Sequence, residues 1–418
     1  MTDMKRYAIS EGVSLNCFTD ERFKTLRISV DLLIPLAEDT AEIYGVLPSL
    51  VSRATENYPD YTLFGQKLAD LYGSSINSNV GKVGGYQVIS LSAGGIASRY
   101  AFAGEDMVEE LSSLLFGILF HPLKDETGLF PEEGFRQEQR QILENFDAEF
   151  NDKILYARQK CLEAVFEGLP QGLNRYGKRE KVAALTRGEV SGAWDTLLKQ
   201  AKYEIFVLGD CSPDISLFEK AFSGYGRQYA ALPLVPHSGE VKTITEDLQL
   251  SQSKLVMAFK ADMQPEERMA FRLMSAVFGG TPSAKLFVNV REKMGLCYYC
   301  SSRFYPETAI LTVESGVETE NIQRARDAIL EQLQSLQAGE LSEDEIQSAK
   351  LAMSSSFRSV EDSLDAVESW YLGQCFFETL QTPESAVQEV MGIPKEQIIS
   401  EAKKVKLDTV YMLKGNSN

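Results

Sequence analysis

The sequence predicts an α+β fold of two homologous domains, each about 200 residues and each a mainly antiparallel sheet packed with helices. Three observations carry this. The chain has 418 residues, too many for one compact core. Alternating strand patterns and helical apolar stripes appear in the same order in both halves. The halves also end alike: Leu185-Thr186, then Val190, then Phe206-Val207-Leu208-Gly209 parallels Ile393-Pro394, then Ile398, then Tyr411-Met412-Leu413-Lys414-Gly415.

In the first half, residues 26–32 alternate Leu26, Ile28, Val30 and Leu32 with Arg27, Ser29 and Asp31, the pattern of a half-buried strand. Residues 62–72 put Phe64, Leu68, Leu71 and Tyr72 on one helical face. Residues 76–83 and 86–92 flank Gly84-Gly85 as a hairpin, because glycine tolerates the positive φ of the turn. A helical stripe from Met107 to Leu119 stops at His121-Pro122, and a second helical region covers 131–166. Thr186 and Glu189 form a capping box, each satisfying a free N–H group of the helix start. That helix leads to a strand at 205–208.

In the second half, 255–259 reads as a strand, 269–278 as a helix and 283–290 as another helical stretch. Strands follow at 298–304 and 310–314, with an amphipathic helix at 322–336. Ser342 and Glu345 make a second capping box. Pro394 opens a helix that leads to a last strand at 410–413. Gly73 and Gly295 precede matching strands. The expected division is 1–222 for the first domain, 223–246 for a linker rich in Pro and Gly, and 247–418 for the second.

The net charge of −18 argues against nucleic acid, whose binding depends on clustered Lys and Arg. The acidity serves solubility, or forms a surface attractive to basic peptides. No apolar run reaches the ~18 residues of a membrane span, and no apolar signal core follows Met1. The six cysteines are too sparse for a disulfide framework, so a cytoplasmic protein with reduced thiols is expected. Cys297-Tyr298-Tyr299-Cys300 sits in a predicted strand, where residues three apart face opposite ways, so two structural cysteines are expected rather than a redox or zinc pair. Glu109-Glu110 and Glu132-Glu133 read as solvated helix faces. Gly279-Gly280 with Lys285 fails the phosphate-loop pattern.

Three segments carry a family resemblance. Residues 279–298, Gly279-Gly280-Thr281-Pro282 through Arg291-Glu292-Lys293-Met294-Gly295-Leu296-Cys297-Tyr298, place a glycine turn before a helix ending in Arg-Glu, then a Gly-Leu turn and Tyr. The others are Thr55-Glu56-Asn57-Tyr58-Pro59, and Phe135 with Glu138 followed by Ile142-Leu143-Glu144. Together these resemble the pitrilysin/insulinase (inverzincin) metallopeptidase family, which includes the mitochondrial processing peptidases. The resemblance implies half of a clam-like chamber.

Active members of that family use H-x-x-E-H on a helix, with a distant Glu as third ligand; the two His hold zinc and the first Glu acts as base. Here the aligned residues are Gly45-Val46-Leu47-Pro48-Ser49, and the distal position is Asn145. All three ligands and the base are replaced, so no metal and no other cofactor is expected. No other register rescues the motif, because the only histidines are His121 and His237. Arg291 and Tyr298 remain at the family's spacing. The resemblance implies that they reach a zinc site from the second domain, Tyr stabilising an oxyanion and Arg holding the substrate backbone. The plain alternative is an ion pair for Arg291 and a core position for Tyr298. Asn77-Ser78-Asn79 resembles the edge strand on which the family's peptide substrate pairs.

The combination resembles the zinc-less subunit of bacterial heterodimeric processing peptidases. It implies a zinc-bearing homologue as partner, a peptide substrate, and an association with itself into a homodimer when alone, with neither nucleic acid nor membrane as partner. The other reading is a scaffold or peptide-binding protein of the same fold, including a role in maturation of translation elongation factor P.

Overall fold

The computed structural model describes residues 4–377 and 379–415. Eleven strands are found among them: β1 Lys5–Ser10, β2 Val13–Thr19, β3 Thr25–Pro35, β4 Ser75–Val83, β5 Tyr86–Ile96, β6 Lys202–Gly209, β7 Lys242–Leu248, β8 Ser253–Ala261, β9 Cys297–Tyr305, β10 Ile310–Val317 and β11 Val405–Gly415. They form two sheets, ordered β1-β2-β6-β3-β5-β4 and β7-β11-β8-β10-β9. From β2 onward the first order maps onto the second strand for strand. One pair in each is parallel, β2 with β6 and β7 with β11, and the other pairs are antiparallel. This is a duplicated α+β unit. Gly73 and Gly295 hold φ of +72° and +61°, the left-handed turn that glycine takes without steric cost, each just before an edge strand.

Local signals held well. Thr186 and Ser342 each accept from the backbone N–H three residues on, and Glu189 and Glu345 reach back, completing both capping boxes. The helical region 131–166 is two helices, Glu132–Asn151 and Lys153–Val165, because Asp152 takes an extended conformation and caps the second through Leu155 N. Pro394 is the N-cap of Lys395–Lys403. The 223–246 stretch holds no helix or strand until β7 begins at Lys242. No helix among the described residues is long and apolar enough to cross a membrane.

Two compact units form, and neither is continuous in sequence. One contains 1–147, 173–231 and 363–380; the other contains 148–172, 232–362 and 381–418. Thus the helix Lys153–Val165, from the first half of the chain, packs in the second unit. Its Ala157, Cys161 and Val165 share a core with Val256, Ala258, Tyr411 and Leu413. A charge-assisted fork from Arg158 to Glu314, with Nη2–Oε2 at 2.8 Å, fixes it to β10. The helix Leu364–Leu372, from the second half, belongs to the first unit.

That exchange changes the reading of β3. Its even residues Leu26, Ile28, Val30 and Leu32 enter the main core with Val46, Leu115 and Trp194. Its polar face was expected to meet water. Instead Ser29 and Asp31 are fully buried, and Arg27 pairs with Glu368 and Asp365 of the exchanged helix. Burial, and the nearby Glu368 carboxylate, push the Asp31 carboxyl well above its usual range. A raised carboxyl holds its proton in the fold where the unfolded chain has lost it. Its destabilising effect is therefore absent below the unfolded pKa and grows as pH rises toward the folded value. Asp31→Asn is expected to stabilise the chain at neutral pH and to change little near pH 4; urea unfolding at the two pH values checks this, and equal gains at both would contradict it.

Candidate functional site

The segment expected to align with the family's zinc motif, Gly45 to Ser49, lies in the helix Ala41–Val51. Gly45 and Pro48 lie in it buried, and Ser49 is partly exposed. Pro48 stands inside the helix, where it removes one backbone donor. A Cβ at Gly45 would lie 3.1 Å from the Tyr176 ring and 3.4 Å from the Tyr176 backbone. Tyr176 also packs edge-on against Phe146, with centroids 6.2 Å apart, next to Asn145. The ring thus fills the space that a side chain at Gly45 would need. Its loop is pinned: Lys82 Nζ donates to the Leu173 carbonyl at 3.0 Å, and Gln87 Nε2 donates to Arg175 at 2.6 Å.

Arg53, just past the helix, donates to Glu138 at 2.6 Å and Gln137 at 2.9 Å, tying Glu132–Asn151 to the zinc-position helix. Asn145 only accepts from Gln141, one turn earlier, at 3.3 Å. Among the described residues no group of three or more His, Cys, Asp or Glu is arranged to hold a metal ion. A hydroxyl, a glycine, a proline and an amide do not fit zinc, which requires His nitrogen, thiolate or carboxylate donors.

Gly45→His alone is expected to destabilise the first unit by about 1–3 kcal/mol through overpacking against Tyr176, measured by urea unfolding. The full set Gly45→His, Pro48→Glu, Ser49→His and Asn145→Glu should hold substoichiometric zinc until Tyr176→Ala clears the space. Stoichiometric zinc in that variant with Tyr176 intact would contradict this account.

The second candidate element is β4, the outer strand of its sheet. Asn77 and Asn79 are exposed and Ser78 points inward. The Ser78 hydroxyl lies 3.4 Å from both Ser49 and Ser52, so the edge runs alongside the zinc-position helix. Among the described residues no strand pairs with the outer side of β4, which leaves backbone donors and acceptors open there.

The third element is in the other unit. Arg291 sits in a π-helical segment, Leu286–Lys293, where Met294 N bonds to Asn289 O at 3.0 Å. Wide turns of this kind recur at functional sites. Arg291 stacks on Phe287 at 4.5 Å and lies 3.6 Å from Glu292. Tyr298 lies in β9, also an outer strand. The ladder pairs Tyr299 with Gly316 and Cys297 with Val317, so Tyr298 is the extra residue of a β-bulge. It is 58% exposed, and its phenol donates to Glu318. That bond, strengthened by the carboxylate charge, raises the phenol above its ordinary value and keeps it a donor.

The bulge corrects one expectation. Cys297 and Cys300 do not face opposite ways: opposite Val317 and Ser315, they share one face of the sheet. Cys300 is buried and Cys297 only half-buried. Sequence reasoning also missed Tyr176 and Glu318, which follow no motif and acquire their places only through tertiary packing. His121 ends the helix Met107–Phe120 as expected, its ring 3.6 Å from Glu56. His237 lies 3.4 Å from Asp408.

Comparison with known proteins agrees with this architecture. Residues 184–353 match the peptidase M16 inactive domain. The chain is 25% identical over 412 residues to the probable inactive metalloprotease YmfF of Bacillus subtilis, covering 97% of this chain and 96% of that protein. It is 22% identical over 357 residues to the uncharacterized zinc protease YmxG of the same organism, covering 84% and 83%. A conserved protein from Enterococcus faecalis superposes with a TM-score of 0.91 at 26% identity over 100% of both chains. A protease from Helicobacter pylori shares the fold, with a TM-score of 0.79 at 14% identity over 99% of this chain and 100% of that one. With the fold and the signature segment in agreement, residues 184–353 belong to the peptidase M16 inactive-domain family, and the chain is similar over nearly its whole length to a probable inactive metalloprotease.

Proposed function

We propose that this chain is the zinc-less subunit of a heterodimeric peptidase, supplying Arg291 and Tyr298 to the zinc site of a homologous partner and part of the surface that holds the peptide. The observation that carries the reading is the placement of Tyr298. A tyrosine used only for packing belongs in the core; this one is lifted out of the β9 ladder by a bulge and exposed. A protonated phenol can donate to the oxyanion that develops when a peptide carbonyl is attacked, and Arg291 is a partly exposed guanidinium suited to backbone carbonyls. The open edge of β4 at Asn77, Ser78 and Asn79 suits strand addition by an extended peptide. The coexistence in Bacillus subtilis of one relative called an inactive metalloprotease and another called a zinc protease supports a division of labour.

The reading is tested by mixing the purified chain with a zinc-bearing M16 homologue from the same genome and measuring mass by light scattering. A one-to-one heterodimer is expected. A chain that stays separate, or only pairs with itself, would contradict it. A heterodimer that forms yet never hydrolyses peptides would favour the scaffold or peptide-binding reading, in which elongation factor P maturation is one candidate process.

A further inference from the structure

Of the six cysteines, four are buried in apolar surroundings that disfavour the thiolate. Burial pushes Cys17 up to about 11, and Cys161, Cys211 and Cys375 to about 12. The remaining two differ. In a regular strand, residues three apart are about 10 Å apart along the chain and point to opposite faces. The bulge at Tyr298 cancels that alternation: Cys297 opposes Val317 and Cys300 opposes Ser315, two residues apart on one face of β10. Two ladder positions on one face put the two Cα atoms about 7 Å apart, at the outer limit that a disulfide spans, and the Cys300 thiol, the Ser315 hydroxyl and the Arg291 charge neighbour the Cys297 sulfur. The Cys300 hydrogen bond is the largest of the effects that lower the Cys297 thiol to about 7, against the opposing effect of burial. Cys300 is pushed well above the ordinary thiol range by the same contact and by burial. One sulfur is thus a half-exposed nucleophile, with a second thiol beside it that can resolve its sulfenic acid.

We propose that Cys297 and Cys300 are an oxidisable thiol pair that closes to a disulfide when the chain meets a hydroperoxide. The Cys297 thiolate attacks the terminal peroxide oxygen. The O–O bond breaks, the alkoxide or hydroxide leaves and takes up a proton, and Cys297 becomes a sulfenic acid. The Cys300 sulfur then attacks the Cys297 sulfur; the S–S bond forms, the S–O bond breaks, and the hydroxyl leaves with the Cys300 proton as water. The thiol pair loses two electrons and the peroxide gains them. A disulfide holds its Cα atoms within about 7 Å, so closure tightens the bulge that carries Tyr298. The chemistry does not depend on the peptidase reading and is tested apart from it.

The reduced, full-length chain is treated with hydrogen peroxide, unfolded with an alkylating reagent, and its peptides are weighed. The peptide spanning Cys297 and Cys300 should be lighter by two hydrogens and unalkylated, while Cys17, Cys161, Cys211 and Cys375 remain alkylated. Cys300→Ser should instead accumulate a dimedone-reactive sulfenic acid at Cys297. The proposal is overturned if both sulfurs stay alkylatable while buried cysteines oxidise. It is equally overturned if Cys297 proceeds to sulfinic acid in the unaltered chain without forming the cross-link.

Discussion

Tyr298→Phe is expected to lower kcat of the assembled peptidase by about 10²–10³-fold with little change in KM, the loss seen when one oxyanion donor is removed from a hydrolytic site. The phenyl ring keeps the shape of the side chain and removes only the donor. Because Tyr298 is exposed on a bulge at the edge of its sheet, the fold has little reason to suffer, and the unfolding midpoint should not move. Arg291→Ala is expected to raise KM as well as lower kcat, because a guanidinium that holds the substrate backbone contributes to ground-state binding too. Steady-state kinetics on the mixture of the two subunits checks both. Unchanged kinetics in the two variants would remove Arg291 and Tyr298 from the mechanism.

Arg27→Ala is expected to cost about 3–5 kcal/mol of stability in the first unit, because it strands Glu368 in a buried site. The Glu368 side chain is 8% exposed and pairs with the Arg27 Nε–H. Asp31, fully buried on the same face of β3, offers the Glu368 carboxylate no compensating charge. Asp365, at 3.2 Å from Arg27 but largely exposed, contributes little. The double variant Arg27→Met with Glu368→Leu should recover most of the loss, since an apolar pair of similar volume needs no charge compensation. Urea denaturation of the three proteins separates these outcomes. A small loss in Arg27→Ala would show that the exchanged helix Leu364–Leu372 is held by apolar contacts alone, such as those of Leu33 and Val88 with Leu372 and Phe376.

Local structure was largely legible because its signals are local. Capping at Thr186 and Ser342, the Gly84 turn and the stripe from Met107 to Leu119 each report on neighbours within a few residues. The duplication was legible because both halves use these signals in the same order. The exchange of Lys153–Val165 and Leu364–Leu372 was not, because an amphipathic helix records that it packs, not against which sheet. For the same reason the polar face of β3 looked solvent-facing: Arg27 finds its partner Glu368 only 341 positions further along the chain. At the candidate site, the absence of a His pair can be counted in the sequence, but the packing of the Tyr176 ring against Gly45 cannot. The bulge at Tyr298 depends on how β9 registers with β10, and a one-residue shift in register leaves no trace in composition or alternation.

The central claim is that this chain completes another subunit's active site. Peptide hydrolysis by the zinc-bearing homologue, measured with and without this chain at saturating ratio, tests it most directly. Neither protein alone is expected to be appreciably active, the mixture is, and Tyr298→Phe in this chain should remove most of the gain. A zinc-bearing homologue as active alone as in the mixture would contradict it.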